Sequence, residues 1–171
     1  SESNSAAMGL AENLSVASGR GVLIQGGLDR SQVELLAAEL LSDPVVERAV
    51  VAPVGDAALA ELPTGMSWII HVLPKPGVMD PVAQSALAAI ADFRLKAEAV
   101  RTLKKYFVAG LHEDKLAPLC WKVLANEAIE QVVVGPLRLE RLELGSPYTF
   151  KLVTIPIRQM DDAELERLSR Q

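Results

Sequence analysis

Few side chains in this sequence are of types that carry chemistry, and spacing decides what each could do. His71, in the run Ser67-Trp68-Ile69-Ile70-His71-Val72-Leu73, could act as a general base or a metal ligand. With no Asp, Cys or second His at ligand spacing, it reads more simply as a satisfied or exposed strand side chain. Cys120 could be a nucleophile, but it falls in the apolar stripe Leu116, Leu119, Cys120, Val123 and Leu124, which predicts a buried, inert thiol. Trp121 lies on a different face of the same helix and is either a contact aromatic or the edge of a core. Gly19-Arg20-Gly21 and Gly26-Gly27 could cradle a phosphate, yet their spacing matches neither the dinucleotide fingerprint nor the P-loop with its Lys and Ser/Thr. Strand-end glycines explain them. Asp161, Asp162 and Glu164 could begin a metal site, but carboxylates at a helix start are favoured by the helix dipole alone. Arg101, Lys104 and Lys105 either meet an acidic partner or form a solvated strand face. No acid–base pair, nucleophile–base pair or ligand cluster emerges, so no catalytic residue, metal or cofactor is expected in this segment.

Those residues must be held by a core of Leu, Val, Ile and Ala, since the 171 residues are 50% apolar but only 4% aromatic. The net charge of −5, with no basic run beyond Lys104-Lys105, argues against a nucleic-acid partner. One cysteine cannot make an internal disulfide. No apolar run approaches the roughly 20 residues of a membrane span, and the N-terminus lacks the basic-then-apolar form of a signal peptide. A cytoplasmic protein without membrane contact is the expectation.

The chain nearly repeats itself. Residues 27–54 align without a gap on residues 110–137. The identical pairs are Gly27/Gly110, Leu28/Leu111, Leu36/Leu119, Leu41/Leu124, Glu47/Glu130, Val50/Val133, Val51/Val134 and Pro53/Pro136. A tandem of two like units builds an internal dimer, which suits a contact surface more than one asymmetric catalytic centre.

The shared half-unit reads as strand, helix, strand. Gly21-Val22-Leu23-Ile24 is the strand, and Val33, Leu36, Ala37, Leu40 and Leu41 form the helical stripe. Ser31 with Glu34 is the expected capping box; Asp114 aligns with Ser31 and makes Pro118 a tolerated fourth helical residue, whereas a cap at His112 would let Pro118 break the helix. Val50-Val51 and Val132-Val133-Val134 begin the strands that follow. The second copy is preceded by a strand over Ser67–Leu73, the turn Pro74-Lys75-Pro76-Gly77, and a helix capped by Asp80 with Pro81 at its first position. Its stripe is Ala83, Ala86, Leu87, Ile90 and Ala91, and Val100 to Val108 is extended. A complete unit is therefore strand–helix–strand–helix–strand over about residues 66–144. On this spacing Ala6 to Leu14 match only the end of a first helix, so the chain reads as starting inside a unit. Tyr148 to Ile157 alternates like a further strand, and Asp161 opens a helix that reads as cut short.

The stretch Pro74-Lys75-Pro76-Gly77-Val78-Met79-Asp80-Pro81 after Ile69-Ile70-His71-Val72 resembles the opening of the PurS component of phosphoribosylformylglycinamidine synthase. Val100-Arg101-Thr102-Leu103-Lys104-Lys105-Tyr106 is similar to that family's second strand, and Val123 to Glu130 to its second helix and exit. The resemblance covers about residues 66–137; the first unit lacks the turn motif. It implies the fused arrangement, in which a PurS-like pair precedes a synthetase. The whole enzyme would use ATP, Mg²⁺ and glutamine to put nitrogen into formylglycinamide ribonucleotide, in de novo purine biosynthesis. The PurS portion contributes no catalytic group; it joins synthetase and glutaminase and helps shape the route of ammonia.

The expected fold is α+β: two related units, an N-terminally incomplete one over residues 1–62 and a complete one over 63–145, each packing helices on an antiparallel sheet about an internal pseudo-two-fold. An extra strand and the start of a linker helix occupy 146–171. Trp68–Leu73 is apolar on both sides and is expected to be central and covered on both faces. The expected docking residues are Lys75, Gly77 and Asp80 of the turn with Arg101, Lys104 and Tyr106 of the strand. The implied partners are the synthetase and glutaminase portions, and a homo-oligomer is compatible. Two other readings stay open: a small-molecule-sensing domain with an effector at the shared edge, and, less favoured, a stand-alone enzyme.

Overall fold

A computed structural model of the protein describes residues 13–142. The expected strand at Tyr148–Ile157, the helix opening at Asp161 and most of the Ala6–Leu14 segment lie outside the described residues. Strand β1 (Ser15–Gly26) leads into α1 (Arg30–Leu36), which continues as a π-helical turn over Ala37–Leu41. A long connection with a short 3₁₀ turn at Ala57–Leu59 reaches β2 (Trp68–Pro74), followed by α2 (Pro81–Asp92) and β3 (Ala97–Ala109). A 3₁₀ turn (Glu113–Lys115) opens α3 (Leu116–Leu119), which widens into a π-helix over Cys120–Leu124, and β4 (Glu130–Val134) closes the series.

The four strands form one antiparallel sheet in the order β1-β3-β2-β4. In an antiparallel ladder opposed residues share a face, and the register therefore sorts the core. Val22, Ile24, Val100, Ile70 and Val72 point to the side that carries all three helices. There Leu36, Ala83, Ile90 and Val100 make one cluster under α1 and α2, and Ile70, Val72, Val108, Leu116, Leu119 and Cys120 make another under α3. On the other face Leu23, Leu73 and Leu103 are covered by Val133, Leu137 and Leu142. β2 lies between β3 and β4 with Ile69 to Leu73 all buried, central and covered on both faces as its composition predicts.

Four local expectations need correction. The cap of α1 is Asp29, not Ser31: its carboxylate accepts from the Gln32 N–H at 2.9 Å while the Gln32 side chain accepts from the Asp29 N–H at 2.9 Å. Two overlapping boxes are written in this stretch, and the carboxylate wins because Ser31 Oγ itself donates to Asp29 at 2.6 Å. His112, not Asp114, precedes the second helical stretch. Pro118 does not break it, because a 3₁₀ turn takes up Glu113–Lys115 and places Pro118 in the first turn of α3. Val123 is exposed although it belongs to the predicted stripe, since the wider π turn carries it off the buried face. The segment at Val50-Val51 forms no strand, having no neighbour among the described residues to pair with.

Candidate functional site

The turn that follows β2 is built from both flanking strands. β2 pairs with β3 only as far as Val72 opposite Lys104, so Thr102 of β3 has lost that strand partner. Asp80 replaces it. One carboxylate oxygen accepts the Ala83 N–H at 2.9 Å and caps α2; the other accepts the Thr102 N–H and hydroxyl, both at 2.9 Å. Burial opposes the charge, but these donors and the nearby Arg101 guanidinium outweigh it and hold the carboxyl below its usual range. The other end of the turn is pinned by the Lys75 N–H to the Ile129 carbonyl (2.8 Å) and the Lys75 ammonium to the Glu127 carbonyl (2.6 Å). Gly77, at φ +84°, takes a left-handed conformation that a side chain would strain.

Of the six docking residues expected from sequence, four converge. Lys75, Gly77 and Asp80 build the turn, and buried Arg101 places Nη1 3.4 Å from the Lys75 carbonyl. Gly77, Met79, Asp80, Ala83, Leu87 and Arg101 line a cavity of about 380 Å³. Lys104 and Tyr106 stand elsewhere, on the helix-bearing face: Lys104 pairs with Glu130 at 2.9 Å, and Tyr106 packs against the α3 cluster. Alternation along β3 separates Arg101 from them, so the six do not form one surface.

The sites weighed for chemistry fall out differently. Cys120 is buried, and burial raises its thiol above the ordinary value. Gly19 and Gly21 sit inside β1 rather than at its end; a Cβ on Gly21 would come within 2.9 Å of the Leu103 side chain. His71 is not exposed, at 3%, and its Nδ1 is buried without a hydrogen-bond partner among the described residues. Burial first, and the Lys105 ammonium opposite it second, lower its pKa. The acidic group at Asp161 lies outside the described residues, and among the described residues no group of three or more His, Cys, Asp or Glu is placed to hold a metal ion. No helix among them is long and apolar enough to cross a membrane.

A second piece of construction was only half visible in the sequence. The turns leaving the two π-helical segments make the same five hydrogen bonds, residue n matching n + 83. Ser42 N–H reaches the Ala37 carbonyl as Ala125 N–H reaches Cys120, at 3.0 and 2.8 Å. Val46 and Glu47 N–H both reach the Asp43 carbonyl, as Ile129 and Glu130 reach Asn126. Val45 N–H reaches Asp43 Oδ1 and Ala128 N–H reaches Asn126 Oδ1. Glu47 accepts the Asp43 N–H at 2.9 Å, and Glu130 the Asn126 N–H at 2.8 Å. Each glutamate also pairs with a strand cation: Glu47 takes both Nε and Nη2 of Arg20, at 2.9 and 2.7 Å, and Glu130 takes Lys104. The Arg20 hydrogen bonds and the Asp43 N–H bring Glu47 down to about 2. Identity at Glu47/Glu130 therefore has a local reason, and its signal was an Asp or Asn four residues before each glutamate. Comparison with protein-family models finds none that matches the chain, and comparison with curated proteins likewise finds no match.

Proposed function

We propose that this chain is a docking domain of PurS-like architecture, two related α+β units about a pseudo-two-fold, which bridges the synthetase and glutaminase portions of phosphoribosylformylglycinamidine synthase in the cytoplasm. It supplies no catalytic group; the reaction's ATP, Mg²⁺ and glutamine belong to its partners. One observation carries the reading: the repeated exit turns, down to the paired glutamates, are what a duplicated unit would leave in the hydrogen bonding. The turn that bears the family-like motif adds support, since Asp80 locks it to β3 and Lys75 locks it to the second exit turn, making it a stiff, exposed projection. Reconstitution tests the proposal. Glutamine-dependent amidation by synthetase plus glutaminase should require this chain, while ammonia-dependent amidation should proceed without it; equal activity with and without the chain in both assays refutes the assignment.

A second reading has one observation in its favour, the 380 Å³ cavity beneath the turn, where Asp80 and Arg101 present opposite charges. A sensing domain would bind a small effector there with saturation in calorimetry, in the absence of either enzyme portion.

A further inference from the structure

β1 is an outer strand of the sheet. Its inner side is paired with β3 along its whole length, and every second residue on its outer side directs N–H and C=O groups where no strand lies among the described residues. Beyond that edge runs the segment from Val46 to Ala52. The two walls enclose a groove of about 440 Å³, floored by Val33, Ala37 and Leu41 of the first helical stretch. Val46 and Val50 stand in water at 77% and 53% exposure.

The other half of the sheet shows the same parts with the gap filled. There β3 takes the place of β1, and Glu130–Val134 takes the place of Glu47–Val51. Between them lies β2, antiparallel to both. Lys104 of β3 reaches over β2 to Glu130 of β4. On the other side Arg20 of β1 reaches over the groove to Glu47. The ion pairs Lys104–Glu130 over β2 and Arg20–Glu47 over the groove mark the two gaps as counterparts, and the first of them is filled by one strand. A long edge facing a second, valine-rich segment, neither paired on that side among the described residues, is a template for strand addition.

We propose that this groove receives one extended strand from a partner polypeptide, inserted antiparallel to β1 and paired on both sides. The occupant has the chemistry of β2: aliphatic side chains at the two positions that face the helices, as Ile70 and Val72 do, and no charge on that face. A second folded copy of this chain does not fit the requirement, because none of the four described strands is open on both sides: β1 and β4 are each paired on one side and β2 and β3 on both. The inference rests on the groove and its filled counterpart and is independent of the purine assignment.

The test uses the full chain and a peptide of residues 67–75 with two added N-terminal lysines for solubility. Amide hydrogen exchange is followed during titration, with a control peptide carrying Ile70→Pro and Val72→Pro. The expected result is saturable slowing, tenfold or more, at alternate β1 amides and in residues 48–52 together, with no effect of the control. Slowing along β4 alone, or β1 alone without 48–52, indicates ordinary edge addition and overturns the proposal. So does an absence of saturable change at 1 mM peptide, or dimerisation without peptide that protects these amides. Protection already present in the free chain and lost in Leu152→Pro assigns the groove to the chain's own 148–157 segment and equally overturns it.

Discussion

Replacing Asp80 by alanine tests the reading of the turn. The carboxylate does two jobs: it caps α2 through Ala83, and it satisfies the Thr102 amide that β2 has abandoned. Loss of a cap costs about 1 kcal/mol, and a half-buried N–H left without an acceptor costs about 1–3 kcal/mol. Asp80→Ala should therefore lose about 2–4 kcal/mol, against about 1–2 kcal/mol for Asp80→Asn, which keeps one oxygen for Ala83 but turns an NH₂ toward the Thr102 donor. With a urea slope of about 2 kcal/mol per molar, the alanine variant's midpoint falls by about 1–2 M. Trp68 reports the transition, since its indole N–H is bonded to the Leu111 carbonyl at 3.0 Å in the folded state. The Thr102 amide should also exchange faster in both variants. A midpoint lowered by less than 0.3 M in the alanine variant, or an unchanged Thr102 amide, refutes the double role.

Further outcomes are expected elsewhere. Arg94 sits at φ +58° just past α2; Arg94→Gly relieves about 1–2 kcal/mol of left-handed strain against a smaller entropic cost, and should raise the melting temperature by about 1–4 °C. Ile90, fully buried between α2 and the sheet, should cost about 2–5 kcal/mol as Ile90→Ala in chemical unfolding. Glu47, lowered from 4.5 to about 2 in the folded chain, contributes stability that is complete above pH 4.5 and is lost as the pH falls from there toward 2. Glu47→Gln should flatten the acid limb of stability in that window, as measured by urea titrations at successive pH values.

The sequence made most of the second half legible, and the reasons are particular. Asp80-Pro81 is an unambiguous helix start, Ala83–Ile90 keeps strict helical spacing, and Ile69–Leu73 is apolar on both sides, as a strand buried on both faces must be. β1 is longer than its composition shows: only Gly21–Ile24 is continuously apolar, while Ser15 to Arg20 are strand by virtue of pairing with β3, a tertiary effect that local composition does not carry. Val50-Val51 shows the converse, having the composition of a strand and no partner among the described residues. Proximity in sequence also joined Arg101 to Lys104 and Tyr106, but the alternation of the strand sends them to opposite faces. The anchoring of Asp80 on Thr102 had no short-range signal, because those residues meet only when β3 runs back past the turn.

The pairing of β1 with β3 also sets the order in which the molecule can assemble. Ser15 must find Ala109 and Gly26 must find Ala97, whereas β2 and β3 join residues as near as 72 and 104. Closing the longer loop costs more chain entropy, and such non-local pairings slow folding. On that ground the β2-to-β4 region is expected to condense first, with the amides of β1 the last to gain protection in pulse-labelled refolding.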